Sequence, residues 1–286
     1  MIHRKIHITE CPRDAMQGIK EFIPTDLKVS YLNALLKVGY DRLDFGSFVS
    51  SKAIPQMVDT PAIVERLEVE ETGTDLSCIV VNERGATTAC SYSQIQFLGY
   101  PFSISETFQI RNTRKTIQES VRILDSIQNL CVKHNKSLLV YLSMAFGNPY
   151  EDEWSIELLS DWAEQMSNMG VSDIALADTV GRANAEQVQS VFSPLLTAYP
   201  RIQWSAHLHA HPKDRMKLID AAYQSGCRRF ESAISGFGGC PFAKDELVGN
   251  LATESVLEYA SQKNLKLGLD QQAFRKAVDI SRLVFS

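Results

Sequence analysis

The 286-residue sequence is short of several features, and each shortage removes a class of protein. There is no excess of positive charge: 29 lysines and arginines against 34 aspartates and glutamates give a formal net charge of −5. That balance offers no basic footprint for nucleic acid. There is no apolar run of about 18 residues, the length a membrane-crossing helix needs. The opening Met1-Ile2-His3-Arg4-Lys5-Ile6 lacks the long apolar stretch of a secretory signal. Neither secretion nor membrane spanning is therefore expected. The six cysteines, at positions 11, 78, 90, 131, 227 and 240, include no Cys-x-x-Cys pair and are too sparse for a disulfide-stapled secreted domain. Reduced thiols and a cytoplasmic location follow as expectations. A glycine-rich dinucleotide fingerprint is also missing after the first predicted strand, and no linker divides the chain.

What is present is an ordinary globular balance, 44% hydrophobic and 22% charged. Short apolar or alternating runs recur along it, most followed by a segment of helical period, the pattern of βα units around a parallel sheet. Eight strands are predicted, at 5–11, 42–48, 76–81, 94–98, 137–143, 173–177, 202–209 and 228–234. Helices are predicted at 26–38, 113–134, 154–169, 186–198, 213–225 and 254–262. Gly39, Gly170 and Gly226 stand where helix stop signals belong. Eight units without a nucleotide fingerprint favour a closed α/β barrel, a (β/α)8 TIM barrel, over a doubly wound open sheet. The expectation is one catalytic domain over 1–286. The tail 271–286 reads as an additional C-terminal helix that covers the barrel or joins a partner.

The most telling short segment is His207-Leu208-His209 near the end of the seventh strand. Residues two apart on a strand face the same way, so both imidazoles point to one side as half of a metal site, or as a pair of hydrogen-bonded structural histidines. After the first strand come Pro12-Arg13-Asp14-Ala15-Met16-Gln17, a cation beside a carboxylate at the rim, which in isolation is also what a solvated loop pair looks like. After the eighth comes Ser235-Gly236-Phe237-Gly238-Gly239-Cys240-Pro241, whose glycines permit close approach of backbone to ligand, and ten residues past Cys240 stands Asn250. In a closed barrel the first strand neighbours the eighth and the eighth neighbours the seventh. These segments therefore form one arc of the rim, where such barrels build their active sites. A carboxylate, two imidazoles and an amide oxygen suit Mg2+ or Mn2+ better than zinc. Cys78 and Cys131 lie in apolar stretches and read as small core hydrophobes. Leu158, Trp162 and Met166 recur at helical spacing and read as a core face.

These residues carry a resemblance over nearly the whole chain. Pro12-Arg13-Asp14-Ala15-Met16-Gln17, Ser47-Phe48-Val49-Ser50, Ile54-Pro55-Gln56-Met57, Asp178-Thr179-Val180-Gly181, His207-Leu208-His209, Gly238-Gly239-Cys240-Pro241 and Gly249-Asn250-Leu251-Ala252-Thr253-Glu254 resemble 3-hydroxy-3-methylglutaryl-CoA lyases, metal-dependent barrel enzymes with an Arg-Asp motif on the first strand. The Gly-Gly-Cys-Pro loop argues for the lyase branch over acyl-CoA synthases of the same group. The resemblance implies that Asp14, His207, His209 and Asn250 bind a divalent metal, Mg2+ or Mn2+. Arg13 would steady a developing enolate oxygen, Cys240 and His207 would transfer protons, and Asp178 would act as a supporting or relay carboxylate. Arg13, Gln17, Lys20, Asp44 and Ser47 would meet an acyl-CoA substrate, with Lys20 near the phosphates. The implied reaction is cleavage of 3-hydroxy-3-methylglutaryl-CoA, or a close 3-hydroxyacyl-CoA, to acetyl-CoA and acetoacetate, by a homodimer or higher homo-oligomer.

The chain departs from that pattern in two places. Asp44 stands where such lyases usually carry Glu, which shortens the acid's reach. After the second histidine Ala210-His211-Pro212-Lys213 replaces the usual Asp-Thr-Tyr-Gly, so the rim gains a third imidazole and loses an acid. His211, at the end of the strand alternation, reads as an exposed loop residue. Two rivals stay open: a condensing synthase of the isopropylmalate or citramalate type, and a barrel that binds acyl-CoA without turnover.

Overall fold

The computed structural model describes residues 5–70, 72–238 and 248–286. Eight parallel strands close into a barrel in sequence order: β1 (His7–Glu10), β2 (Arg42–Ser47), β3 (Asp75–Ile79), β4 (Ile95–Ser103), β5 (Ser137–Ser143), β6 (Asp173–Asp178), β7 (Gln203–Leu208) and β8 (Arg229–Ser232), with β8 pairing back onto β1. Their side chains are buried along nearly their whole length, as parallel strands covered on the outside by helices must be. The helices are α1 (Pro12–Met16), α2 (Thr25–Leu36), α3 (Thr60–Val64), α4 (Glu83–Cys90), α5 (Glu106–Thr113), α6 (Ile117–Lys133), α7 (Ile156–Asn168), α8 (Ala185–Ala198), α9 (Arg215–Gln224), α10 (Thr253–Gln262) and α11 (Gln271–Val284). The expected (β/α)8 barrel with an added C-terminal helix is the fold observed. No helix among the described residues is long and apolar enough to cross a membrane.

Local chemistry explains the departures from the expected elements. The helix predicted over 113–134 is broken, because Thr116 and Glu119 form a reciprocal capping box that starts α6 afresh while Arg114 leaves α5 in the left-handed region at φ 59°. β4 runs on past the predicted end at Leu98 to Ser103. Gly99 is there for close packing: a Cβ on it would lie 2.8 Å from Ile79 Cδ1 and 3.0 Å from the Tyr141 ring. α1 is a single turn begun by Pro12 directly after β1.

Two connections matter for the site. The segment 248–251 returns antiparallel to the end of β7: Leu251 N–H donates to the Leu208 carbonyl at 3.1 Å, Ala210 N–H to the Gly249 carbonyl at 3.0 Å, and Asn250 stands opposite His209. α11 packs on α2, and its final Phe285 stacks on Phe237 of the loop after β8 with ring centroids 4.3 Å apart. The tail thus covers the barrel.

Candidate active site

Arg13 and Asp14 ride on α1 at the C-terminal end of the barrel, both almost fully buried. The Arg13 fork is held on two sides. Nε and Nη2 donate to Asp44 Oδ2 at 3.0 and 2.6 Å, and Nη1 donates to Asp14 Oδ1 at 3.1 Å and to Gln17 Oε1 at 3.0 Å. Four of the five guanidinium N–H groups are thereby engaged, leaving one on Nη2. The shorter Asp44 therefore still grips Arg13. Burial opposes the charge on Arg13, but Asp44 and Asp14 together hold its pKa above the ordinary arginine value. Burial raises Asp44 to about 6 despite the adjacent guanidinium. Asp14 is also subject to burial, yet Arg13 and the two histidines bring it below the usual carboxylate range.

His207 and His209 do face the same space, as two-residue spacing on a strand requires. Each is turned by an acceptor on its Nδ1: the Glu231 carboxylate for His207 at 2.9 Å, and the Thr179 carbonyl for His209 at 3.1 Å. Nε2 of His209 is then buried without a hydrogen-bond partner among the described residues and lies 4.0 Å from Asp14 Oδ2, too far for a hydrogen bond. Burial, reinforced by the neighbouring His207, lowers His209 to about 4 and keeps it a neutral imidazole. For His207 burial pulls the same way, but Glu231 and Asp14 outweigh it and raise the group.

Asp14, His207 and His209 each offer a ligand atom, all within 4.8 Å of one another. Two imidazoles and a carboxylate, one nitrogen of the set buried and orphaned, fit a divalent cation. Asn250 closes the same side. Its amide nitrogen donates to Asp14 Oδ2 at 2.8 Å and to the Phe237 carbonyl at 2.9 Å, while Oδ1, the atom a cation would take, makes no hydrogen bond among the described residues.

Beside these groups lies a cavity of about 370 Å³, lined by neither Asp44 nor Asn250, whose walls include Ile79, Tyr141 and Ala177 and which also meets Lys52 and Arg114. Arg13, Asp14, Gln17, His207 and His209 line it. Other expected residues stand away from it. Asp178 accepts from the backbone N–H groups of Arg182 and Ala183 at 2.9 and 2.8 Å, closing the turn after β6. Burial lifts it to about 6 against those donors. Ser47 is buried and bonds the Ile79 carbonyl at 3.3 Å, and Lys20 is exposed in the loop after α1. Neither lines the cavity. His211 is exposed beyond β7, as expected of a loop residue. Cys240 lies outside the described residues. The described start of its loop is pressed to the site, since a Cβ on Gly238, at φ +101°, would meet Asn250 Nδ2 at 2.6 Å and Ala15 Cα at 3.0 Å.

Sequence reasoning passed over Glu231, Thr179 and Tyr141. Tyr141 packs its ring against that of His207 with centroids 5.4 Å apart. Glu231 was legible only through strand register: β7 and β8 are adjacent, and His207 pairs with Glu231.

Comparison with known proteins gives a consistent answer. Residues 5–283 match the HMGL-like family model. A hydroxymethylglutaryl-CoA lyase of Bacillus subtilis is 32% identical over 264 residues, 92% of this chain and 87% of its own length. A crystal structure of the B. subtilis HMG-CoA lyase superposes with a TM-score of 0.92 at 31% identity, covering 99% of this chain and 95% of that one. An HMG-CoA lyase of Acinetobacter baumannii, solved with coenzyme A and 3-methylmalate, superposes at 0.91 with 28% identity, covering 99% and 92%. The family model spans nearly the whole chain, and the chain belongs to the HMGL-like family.

Proposed function

We propose that the protein is a divalent-metal-dependent carbon–carbon lyase, one catalytic domain over 1–286, that cleaves 3-hydroxy-3-methylglutaryl-CoA or a close 3-hydroxyacyl-CoA to acetyl-CoA and acetoacetate. The observation that carries the reading is the orphaned His209 Nε2 facing Asp14 and His207 beside a guanidinium locked by Asp44. Asp14, His207, His209 and Asn250 would hold Mg2+ or Mn2+. A bound divalent cation supplies Lewis acidity that lowers the pKa of an alcohol as it does that of water.

Cleavage removes the proton of the tertiary hydroxyl, turns that oxygen into a ketone and breaks the C2–C3 bond, leaving the electron pair on the thioester fragment as an enolate. Arg13 would meet the enolate oxygen with the Nη2 N–H that Asp44, Asp14 and Gln17 leave unspent. Because the guanidinium is already oriented, it need not reorganise as charge develops. His207 would exchange the hydroxyl proton, and Cys240 or His207 would deliver a proton to carbon. Ile79, Tyr141 and Ala177 give the cavity apolar walls, while Lys52 and Arg114 offer charge to an anionic acyl-CoA. A cytoplasmic site of action and a homo-oligomeric state complete the proposal; the five described cysteines are all free and buried, which suits a reducing compartment.

The test is incubation of purified protein with 3-hydroxy-3-methylglutaryl-CoA, with and without Mg2+ or Mn2+. Metal-dependent release of acetyl-CoA and acetoacetate is expected. Condensation of acetyl-CoA with a 2-oxo acid in place of cleavage would assign a synthase, and metal binding without turnover of either kind would assign a binding barrel.

A further inference from the structure

We infer that Glu231 is a positioning residue: it fixes His207 with Nδ1 turned into the barrel wall, so that Nε2 is the nitrogen presented beside Asp14 and His209. The inference rests on the metal-site reading above and extends it by one residue that neither motif nor resemblance singles out.

Two observations carry it. The first is register. His207 and Glu231 are paired positions on adjacent parallel strands, so their side chains leave the sheet on the same side, and Glu231 Oε2 meets His207 Nδ1 at 2.9 Å. An imidazole whose Nδ1 is bonded to a carboxylate acceptor carries its proton there and keeps Nε2 as the lone-pair donor. The second is symmetry of function with different means. His209 is turned the same way by the Thr179 backbone carbonyl, so both rings are set through Nδ1 and both Nε2 atoms are left for a shared partner. Two independent acceptors producing one orientation is what a cation site requires and what core packing does not.

The experiment compares Mn2+ affinity in wild type, Glu231→Gln, Glu231→Leu, His209→Ala and Asp14→Asn, by competition with a fluorescent chelator, alongside thermal unfolding in EDTA. Glu231→Leu is expected to weaken Mn2+ binding about 10–100-fold, the usual cost of losing the group that orients a metal-binding histidine. Its melting temperature in EDTA is expected to stay level or rise, because a buried acid whose Oε1 has no hydrogen-bond partner among the described residues has gone. Glu231→Gln keeps an acceptor at the same reach and is expected to recover most of the affinity. A folded Glu231→Leu that binds Mn2+ like wild type, or a Glu231→Gln as impaired as Glu231→Leu, overturns the positioning role. If His209→Ala and Asp14→Asn also bind like wild type, the metal site itself has failed; if they lose affinity while Glu231→Leu does not, only the role of Glu231 has failed. Should Glu231→Leu not fold, the 15N spectrum of the metal-free wild type decides: His207 protonated on Nδ1 is expected, and His207 protonated on Nε2 overturns the inference.

Discussion

The barrel is closed by buried charge at both ends, and the two ends are built differently. At the N-terminal end Arg42, the first residue of β2, reaches across to Asp173, the first residue of β6, at 3.1 Å, and lays its guanidinium over the Phe97 ring at 3.4 Å. Asp173 accepts a second bond from the Ser172 hydroxyl at 2.9 Å, and no atom of either partner is left orphaned among the described residues. At the C-terminal end Arg13, Asp14, Asp44, His207, His209 and Glu231 are buried to a similar degree, yet His209 Nε2, Asp44 Oδ1 and Glu231 Oε1 have no hydrogen-bond partner among the described residues. Burial does not distinguish the Arg42–Asp173 pair from the cavity cluster; completeness does. A finished ion pair holds strands together, whereas a cluster with donor atoms to spare suits a ligand, and among the described residues the cavity is lined by Arg13, Asp14, His207 and His209 and not by Arg42 or Asp173.

The sharpest way to break that comparison is to remove one arginine from each end. Arg13→Met is expected to lower kcat about 10²–10³-fold with metal affinity largely kept, since the lost donor acts on charge that appears in the transition state. Arg42→Met is expected to leave kcat within about threefold but to destabilise the fold by about 3–5 kcal/mol, because Asp173 stays behind as a buried acid without its partner. Steady-state kinetics and urea unfolding of both variants check this. An Arg42→Met enzyme that loses turnover as steeply as Arg13→Met would show that completeness does not mark which end is functional.

Glu10 sharpens the comparison further, because it sits at the same end as the cavity but is complete. Its oxygens accept from the Ile234 N–H at 2.7 Å and the Thr253 hydroxyl at 2.6 Å, tying β1 to the loop after β8 and to α10, and it does not line the cavity. Burial is the dominant influence and raises its pKa to about 8 against those hydrogen bonds. The folded state therefore holds a proton that the unfolded chain releases near the ordinary glutamate value. Stability from the protonated form is fully present below about pH 4.5 and is lost as pH rises toward about 8. Each unit of that displacement corresponds to about 1.4 kcal/mol. Glu10→Gln keeps the acceptor for Ile234, and the adjacent Ser232 and Thr253 hydroxyls, 2.9 Å apart with either able to donate, can reverse to receive the new amide. The expected result is a melting temperature that falls less between pH 5 and 8 than in wild type. An unchanged slope would remove Glu10 as its source.

Much of the cavity end was readable in advance because its chemistry is written in residue types at short range. Arg13-Asp14 and His207-x-His209 declare themselves, and barrel closure brings them together. Glu231 did not declare itself, since one glutamate in Arg229-Phe230-Glu231-Ser232 acquires meaning only when the register of β7 and β8 sets it beside His207. Arg42 and Asp173, 131 positions apart, were invisible for the same reason. The break between α5 and α6 was available in Thr116-x-x-Glu119 but was masked by the apolar period of the longer segment. Asp178, which the resemblance makes a supporting or relay carboxylate, has both oxygens engaged by backbone amides of its own turn.

The smallest expected effect concerns the histidine that the chain adds. His211 follows the pair by two positions, so strand alternation continued past His209 would have put it on the ligand face. The backbone prevents this: Ala210 is held to Gly249 and β7 has already ended, so His211 leaves into solvent. His209, one turn of the alternation earlier, is pinned by Thr179 and faces Asp14. His209→Ala removes a first donor and is expected to weaken Mn2+ binding by at least about 10-fold, whereas His211→Ala is expected to leave it within about twofold. Isothermal titration of both variants with Mn2+ separates them. A loss in His211→Ala as large as that expected of His209→Ala would mean that the ligand set extends along the strand to His211 and that the end of β7 does not turn this imidazole away from the site.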